Sequence, residues 1–68
     1  MSTYISTFFK EDTDGPRAEV YLEETGYTIR YYDMSGSLFR TEEFPGKSLH
    51  YVEDAAENWA LGIKNLNG

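Results

Sequence analysis

The residues of this sequence that could do chemistry lie close together in its last third. His50, Glu53, Asp54 and Glu57 recur at helical spacing, which would place an imidazole and three carboxylates on one side of a helix, as a divalent metal site requires. A zinc site without thiolates needs several histidines, and the chain has one histidine and no cysteine. The pattern is typical of solvated charges on a helix surface, so the sequence predicts no metal ligand and no cofactor.

Two other segments resemble binding motifs but lack the residues that the remaining motif positions require. The segment "DTDG" at 12–15 is similar to the start of a calcium loop, but Lys10 occupies the first ligand position and Tyr21 the closing glutamate position. The segment "GKS" at 46–48 has the tail of a phosphate-binding loop without its upstream glycine. Nucleophilic catalysis would need a base beside a serine or threonine, and His50 is expected on an exposed helix start. We therefore expect no enzyme activity.

Length and charge narrow the classes of partner. Sixty-eight residues are predicted to form one small domain that spans 1–68. Six Lys and Arg against twelve Asp and Glu give a net charge of -6, which disfavours nucleic acids and anionic membranes because both require clustered cations. No apolar run approaches the ~20 residues of a membrane span, and "MSTYISTFFKED" lacks the basic start and apolar stretch of a signal peptide. We expect a cytoplasmic protein without membrane contact.

Alternation of apolar and polar residues predicts four β-strands that precede one helix. Turn-forming residues separate the strands at 10–17, 24–26 and 34–36, and Pro45 ends the fourth strand because proline cannot continue a hydrogen-bonded ladder. The predicted strands are 3–9, 18–23, 27–33 and 37–44. The expected fold is α+β, an antiparallel β-meander of three to four strands with one C-terminal α-helix packed on one face.

The sequence allows two registers between the second and third strands. A two-residue loop places Val20 opposite Ile29, whereas a three-residue loop places Tyr21 opposite Ile29. We prefer the two-residue loop because it gathers Val20, Leu22 and Ile29 on one face.

The last third of the chain has the periodicity of an amphipathic helix. Ser48 is a suitable N-cap because its hydroxyl can accept a hydrogen bond from an amide of the first turn. Trp59 lies in the middle of the apolar stripe and is expected to pack inward against the sheet. The stripe runs to the end of the helix predicted over 48–66 and contains Leu49, Val52, Ala55, Ala56, Trp59, Ile63 and Leu66.

One helix covers one face of a sheet, so the second face is expected to remain open. Aromatic and arginine side chains dominate the energy of many protein contacts, and the residues expected on that face are of these types. We therefore predict that Tyr21, Arg30, Tyr32 and Arg40 bind a host protein or a second copy of the chain, through the sheet face or an edge strand.

The segment "LFRTEEFPGKSLHYVEDAAENWALGI" carries a resemblance to known proteins. A short meander, a Pro-Gly pair, a serine cap and a helix containing "AAENW" resemble small uncharacterised proteins of marine bacteriophages, including those that infect cyanobacteria. The resemblance covers about 19–66. It implies expression in the cytoplasm of an infected bacterium and modulation of host machinery, and it transfers no catalytic or binding residue.

A second function is compatible with the acidity of the chain. Glu53, Asp54 and Glu57 would form an acidic helix surface that imitates nucleic acid. The alternative is therefore an inhibitor that occupies a DNA- or RNA-binding host enzyme.

Overall fold

The structure is a computed structural model that describes residues 2–10 and 15–62. Four antiparallel strands form one sheet in the order β1-β2-β3-β4, and a single helix packs against it. The elements are β1 (Thr3–Phe9), β2 (Arg17–Glu23), β3 (Gly26–Tyr32), β4 (Leu38–Phe44) and α1 (Leu49–Ala60). The predicted α+β meander with one helix on one face is confirmed.

The turn between β2 and β3 has two residues, Glu24 and Thr25, and it sets the preferred register. Val20 lies opposite Ile29 and Glu19 lies opposite Arg30, which confirms the two-residue alternative. Gly26 follows the turn with φ 135°, and a Cβ atom there would lie 3.1 Å from the Cα of Pro45. Glycine is therefore needed at this position both for the backbone conformation and for the close approach of the chain after β4.

The turn between β3 and β4 is held by the carboxylate of Asp33. Its Oδ1 accepts hydrogen bonds from the backbone N–H groups of Ser35 and Ser37, each at 3.0 Å. The hydrogen bond from the Ser35 hydroxyl, together with these two backbone bonds, holds the pKa of Asp33 below its usual value. The register shifts directly after this turn: Tyr31 pairs with Arg40, but Tyr32 pairs with Leu38, so that Phe39 is the additional residue of a β-bulge.

The core lies between α1 and one face of the sheet. Tyr31 and Trp59 are its largest members, and their rings meet edge to face with centroids 5.0 Å apart. Trp59 is 5% exposed, so the prediction that it packs inward is confirmed. The buried residues of this core are Ala18, Val20, Ile29, Tyr31, Phe44, Val52, Ala55, Ala56, Trp59 and Ala60.

The two ends of α1 differ in how well the sequence predicts them. Ser48 caps the start by accepting a hydrogen bond from the backbone N–H of Tyr51 at 3.2 Å, as predicted. The predicted continuation of the helix directly past Ala60 is wrong, because α1 ends at Ala60 and Gly62 adopts φ 77°, a conformation in which helices commonly stop. Ile63 and Leu66, the last members of the predicted stripe, lie outside the described residues.

Lys10 ties the end of β1 to the end of the helix. Its Nζ lies 4.7 Å from the centroid of the Trp59 ring and donates a hydrogen bond to the Trp59 carbonyl at 3.3 Å. A cation at a helix C-terminus is favourable because the last carbonyl groups carry partial negative charge.

Candidate functional site

The sheet surface opposite α1, here called the open face, carries the aromatic and arginine side chains that the sequence singled out. Antiparallel register places residues that lie directly opposite one another on the same side of the sheet. Arg17 lies opposite Tyr32, Glu19 opposite Arg30 and Tyr21 opposite Thr28. The structure therefore brings Tyr21, Arg30 and Tyr32 together on the open face.

Each of the two tyrosines lies beneath an arginine. The guanidinium carbon of Arg17 is 4.1 Å from the centroid of the Tyr32 ring, and that of Arg30 is 4.2 Å from the centroid of the Tyr21 ring. Both rings are thus partly covered by the protein's own cations, and each stacked pair gains a cation–π interaction. The open face is a polar and aromatic surface rather than a bare aromatic one.

Carboxylates hold these arginines in place. Glu19 accepts one hydrogen bond from Arg17 Nε and another from the Tyr21 hydroxyl, both at 2.7 Å. Burial works to raise the pKa of Glu19, but the two hydrogen bonds outweigh it and hold that pKa below its usual value. Glu23 accepts a hydrogen bond from Arg30 Nη2 at 3.3 Å and another from Ser2 at 2.8 Å.

These contacts determine what the open face can do chemically. Glu19 is held ionised between two donors, so it is poorly suited to exchange a proton with a substrate near neutral pH. The hydrogen bond to Glu19 raises the pKa of the Tyr21 hydroxyl, which makes it a weaker acid. Neither side chain is therefore well suited to exchange a proton near neutral pH.

Arg40 lies on the helix-covered side of the sheet, so its predicted place on the open face is wrong. Arg30 pairs with Thr41, and Arg40 pairs with the buried Tyr31 of the helix-covered face. Tyr32 pairs with Leu38, but the additional residue Phe39 moves Arg40 opposite Tyr31, so Arg40 lies on the other side of the sheet from the one that regular alternation predicts. Burial, followed by the charge of Glu42, raises the pKa of the Tyr31 hydroxyl, and the nearby positive charge of Arg40 opposes this shift.

Strand β4 forms the more exposed border of the sheet. Helix α1 packs mainly on the first three strands and meets β4 at its end, where the rings of Phe44 and Tyr51 lie 6.1 Å apart. Leu38 and Phe39 are 52% and 51% exposed, and Met34 in the preceding turn is 74% exposed. Residues 38–42 are called the β4 edge below.

The apolar part of the β4 edge was not identified from the sequence. Its signal is the adjacent pair Leu38 and Phe39 in an otherwise polar strand. Successive residues of a strand point to opposite faces, so a single buried face cannot cover both side chains. In the structure the bulge at Phe39 leaves both half-exposed, with the Phe39 ring 6.3 Å from that of Tyr31.

The acidic helix surface is less continuous than the sequence suggested. Glu53 turns toward the sheet and accepts a hydrogen bond from the Ser6 hydroxyl at 2.9 Å, while Asp54 and Glu57 are exposed. Over residues 2–10 and 15–62, no group of three or more His, Asp or Glu side chains is close enough to hold a metal ion. Within the same residues, α1 is too short and too polar to cross a membrane.

Comparisons with known proteins returned no similarity. No protein-family model, no curated protein sequence and no solved structure matches this chain.

Proposed function

We propose that this chain is a non-enzymatic interaction domain that binds an extended protein strand along the β4 edge. The observation that carries the proposal is the half-exposed pair Leu38 and Phe39 at the border strand of the sheet. A border strand can add a strand from another chain, whose backbone supplies hydrogen bonds while side-chain contacts supply selectivity. The strand would come from a second copy or, as the phage-like layout implies, from a host protein.

The open face extends this contact surface. Tyr32 pairs with Leu38, so the stacked pair of Arg17 and Tyr32 lies directly beside the β4 edge. Tyrosine and arginine are common at the centres of protein interfaces because they combine a large apolar area with hydrogen-bonding groups. We include Tyr32, Arg17 and Arg30 in the proposed contact, because Tyr32 and Arg30 pair with residues of the β4 edge. Tyr21 lies on the more distant β2 and is placed at the margin.

The test is a comparison of complexes formed by the wild-type chain and by a Leu38→Ser, Phe39→Ser double variant. Complexes are detected by light scattering of the purified protein and by capture from a bacterial lysate, followed by reconstitution with the purified captured protein. The matched control is Leu61→Ser, which removes a half-exposed leucine at the end of α1. We expect the double variant to lose assembly while its melting curve stays cooperative and the control stays unchanged. Assembly that survives in the double variant would contradict the proposal.

The Tyr32→Ala variant examines the open face separately. Because Tyr32 is half-buried and lies outside the core, we expect the variant to fold and to bind more weakly. Loss of cooperative unfolding in this variant would instead show that the stacked pair with Arg17 is needed for the fold.

The salt dependence of binding distinguishes strand addition from nucleic-acid mimicry. A mimic binds through many charge pairs, so its complex should weaken steeply as the salt concentration rises from low to physiological values. The affinity of a complex formed by strand addition with apolar contacts should change little over the same range of salt concentration. The position of Glu53, bonded to Ser6, favours strand addition because it leaves fewer charges free to imitate phosphates.

A further inference from the structure

Two opposite charges flank Thr41 in the β4 edge. Arg40 precedes Thr41 and Glu42 follows it, and both lie on the helix-covered side of the sheet, where they pair with Tyr31 and Ile29. We propose that β4 pairs antiparallel with β4 of a second copy of this chain, with the twofold axis passing through Thr41. This inference rests on the proposed function and identifies its partner.

A twofold axis perpendicular to the sheet keeps each side chain on its own side. Thr41 then lies opposite Thr41 of the second copy, and Arg40 lies opposite Glu42 of the second copy. The symmetry repeats the second pairing, so the centre of the contact contains two oppositely charged pairs and one threonine pair. Opposite charges and paired threonines are both favourable when they face each other across antiparallel strands.

The neighbouring symmetric registers are opposed by the same charges. An axis at Arg40 would place two arginines directly opposite each other, and an axis at Glu42 would place two glutamates opposite each other. Like charges in directly opposite positions destabilise a strand pair. Arg40 and Glu42 thus favour one partner register and disfavour the two closest alternatives.

The pairing also suits the size of the domain. A domain of 68 residues buries only about 60% of the surface that its unfolded chain exposes, and association is one of the ways in which such domains gain further burial. Joining two copies at β4 would produce one continuous sheet of eight strands with both helices on the same face. The half-exposed Leu38 and Phe39 would lie at the two ends of this contact.

The experiment measures self-association of two charge-reversal variants by sedimentation equilibrium, alone and mixed. In Arg40→Glu, both pairs become two facing carboxylates, and in Glu42→Arg, both become two facing guanidinium groups. We expect each variant alone to associate roughly tenfold more weakly than the wild type, from the summed change in cross-strand pair energies. In an equimolar mixture, the introduced glutamate faces the introduced arginine and the native pair forms as well. We therefore expect the mixture to recover wild-type association.

Controls separate this pairing from effects of net charge and of folding. Lys47→Glu and Asp54→Arg change the net charge by the same amounts at exposed positions outside β4, and they should leave self-association unchanged. Glu42 also accepts a hydrogen bond from Tyr31 at 3.0 Å, so the melting curve of each variant is recorded first. Failure of the mixture to associate better than the single variants would overturn the inference.

A single cysteine tests the position of the axis without altering charge. The chain has no native cysteine, so Thr41→Cys gives one defined product with a short thiol-specific cross-linker. Residues that lie opposite each other in antiparallel strands have Cβ atoms about 4.5–5.5 Å apart, within reach of such a reagent. We expect covalent dimers from Thr41→Cys and a yield at least several-fold lower from Thr25→Cys in the turn between β2 and β3. Equal yields would overturn the inference.

The outcomes distinguish this inference from the function on which it rests. If charge reversal and cross-linking fail while the Leu38→Ser, Phe39→Ser variant still loses a captured partner, β4 binds a different strand and the second copy is excluded. If that double variant loses nothing, the proposed function itself is wrong.

Discussion

Replacing Trp59 by alanine should remove most of the stability of this protein. The side chain is 5% exposed, contacts Tyr31 edge to face and lies beneath Lys10. An aromatic side chain buries roughly 150–250 Å², which at ~25 cal/mol per Å² corresponds to about 4–6 kcal/mol, and measured Trp→Ala changes in cores cost about 3–5 kcal/mol. A domain of this length has a free energy of unfolding of about 3–10 kcal/mol at ~0.05–0.15 kcal/mol per residue. The substitution therefore costs a large share of the total.

The assay is urea unfolding followed by far-ultraviolet circular dichroism, because the substitution removes the chain's single tryptophan. The expected result is a transition shifted to much lower urea, or no folded baseline at 37 °C. Tyr51→Ala is the matched control, since Tyr51 lies on the same helix and is half-exposed. Trp59→Phe, which keeps an apolar ring, should recover part of the loss. If Trp59→Ala and Tyr51→Ala cost the same, the docking of α1 through Trp59 is not what holds this fold together.

Three further substitutions test individual features. Ser48→Ala should lower the free energy of unfolding by about 1 kcal/mol through loss of the helix cap, while Ser48→Gly should cost only a few tenths, both measured by urea unfolding. Gly26→Ala should lower the melting temperature more than Gly36→Ala. Both glycines have positive φ, but a Cβ at Gly26 would lie 3.1 Å from the Cα of Pro45, whereas a Cβ at Gly36 meets nothing within 4 Å. The lowered pKa of Glu19 means that its carboxylate stabilises the fold above its unfolded-state pKa, a contribution lost as the pH falls through the folded-state pKa. Glu19→Gln should therefore be less stable at neutral pH and show a smaller loss on acidification than the wild type.

Local signals predicted much of the fold. The cap at Ser48, the inward position of Trp59 and the register of Val20 against Ile29 all follow from residues close to one another in sequence. Each of these features depends on one turn or one helical period. The physical cause of each is therefore present in a short window of the chain.

The features that the sequence did not predict correctly depend on several elements at once. The apolar pattern of the sequence continues past Ala60, but α1 ends there and Gly62 adopts a positive φ. The backbone conformation of this glycine, and not the apolar periodicity, therefore sets the end of the helix. The side of the sheet on which Arg40 lies depends on the bulge at Phe39, which has no unique signature in the sequence. The stacking of Arg17 and Arg30 on tyrosines requires the three-dimensional register before it can be recognised.

The two border strands of the sheet differ in charge, and this difference affects which contacts each border can make. In the described part of the chain, β1 and β4 end the sheet on opposite sides, and the residues of β1 are all uncharged. Pairing of β1 with β4 of another copy would be heterologous, so assembly would continue as a filament unless the rotation between copies closed a ring. Pairing of β4 with β4 closes after two copies. Charges on a border strand usually oppose pairing with indiscriminate partners. In the proposed dimer, by contrast, Arg40 and Glu42 would each face the opposite charge of the second copy.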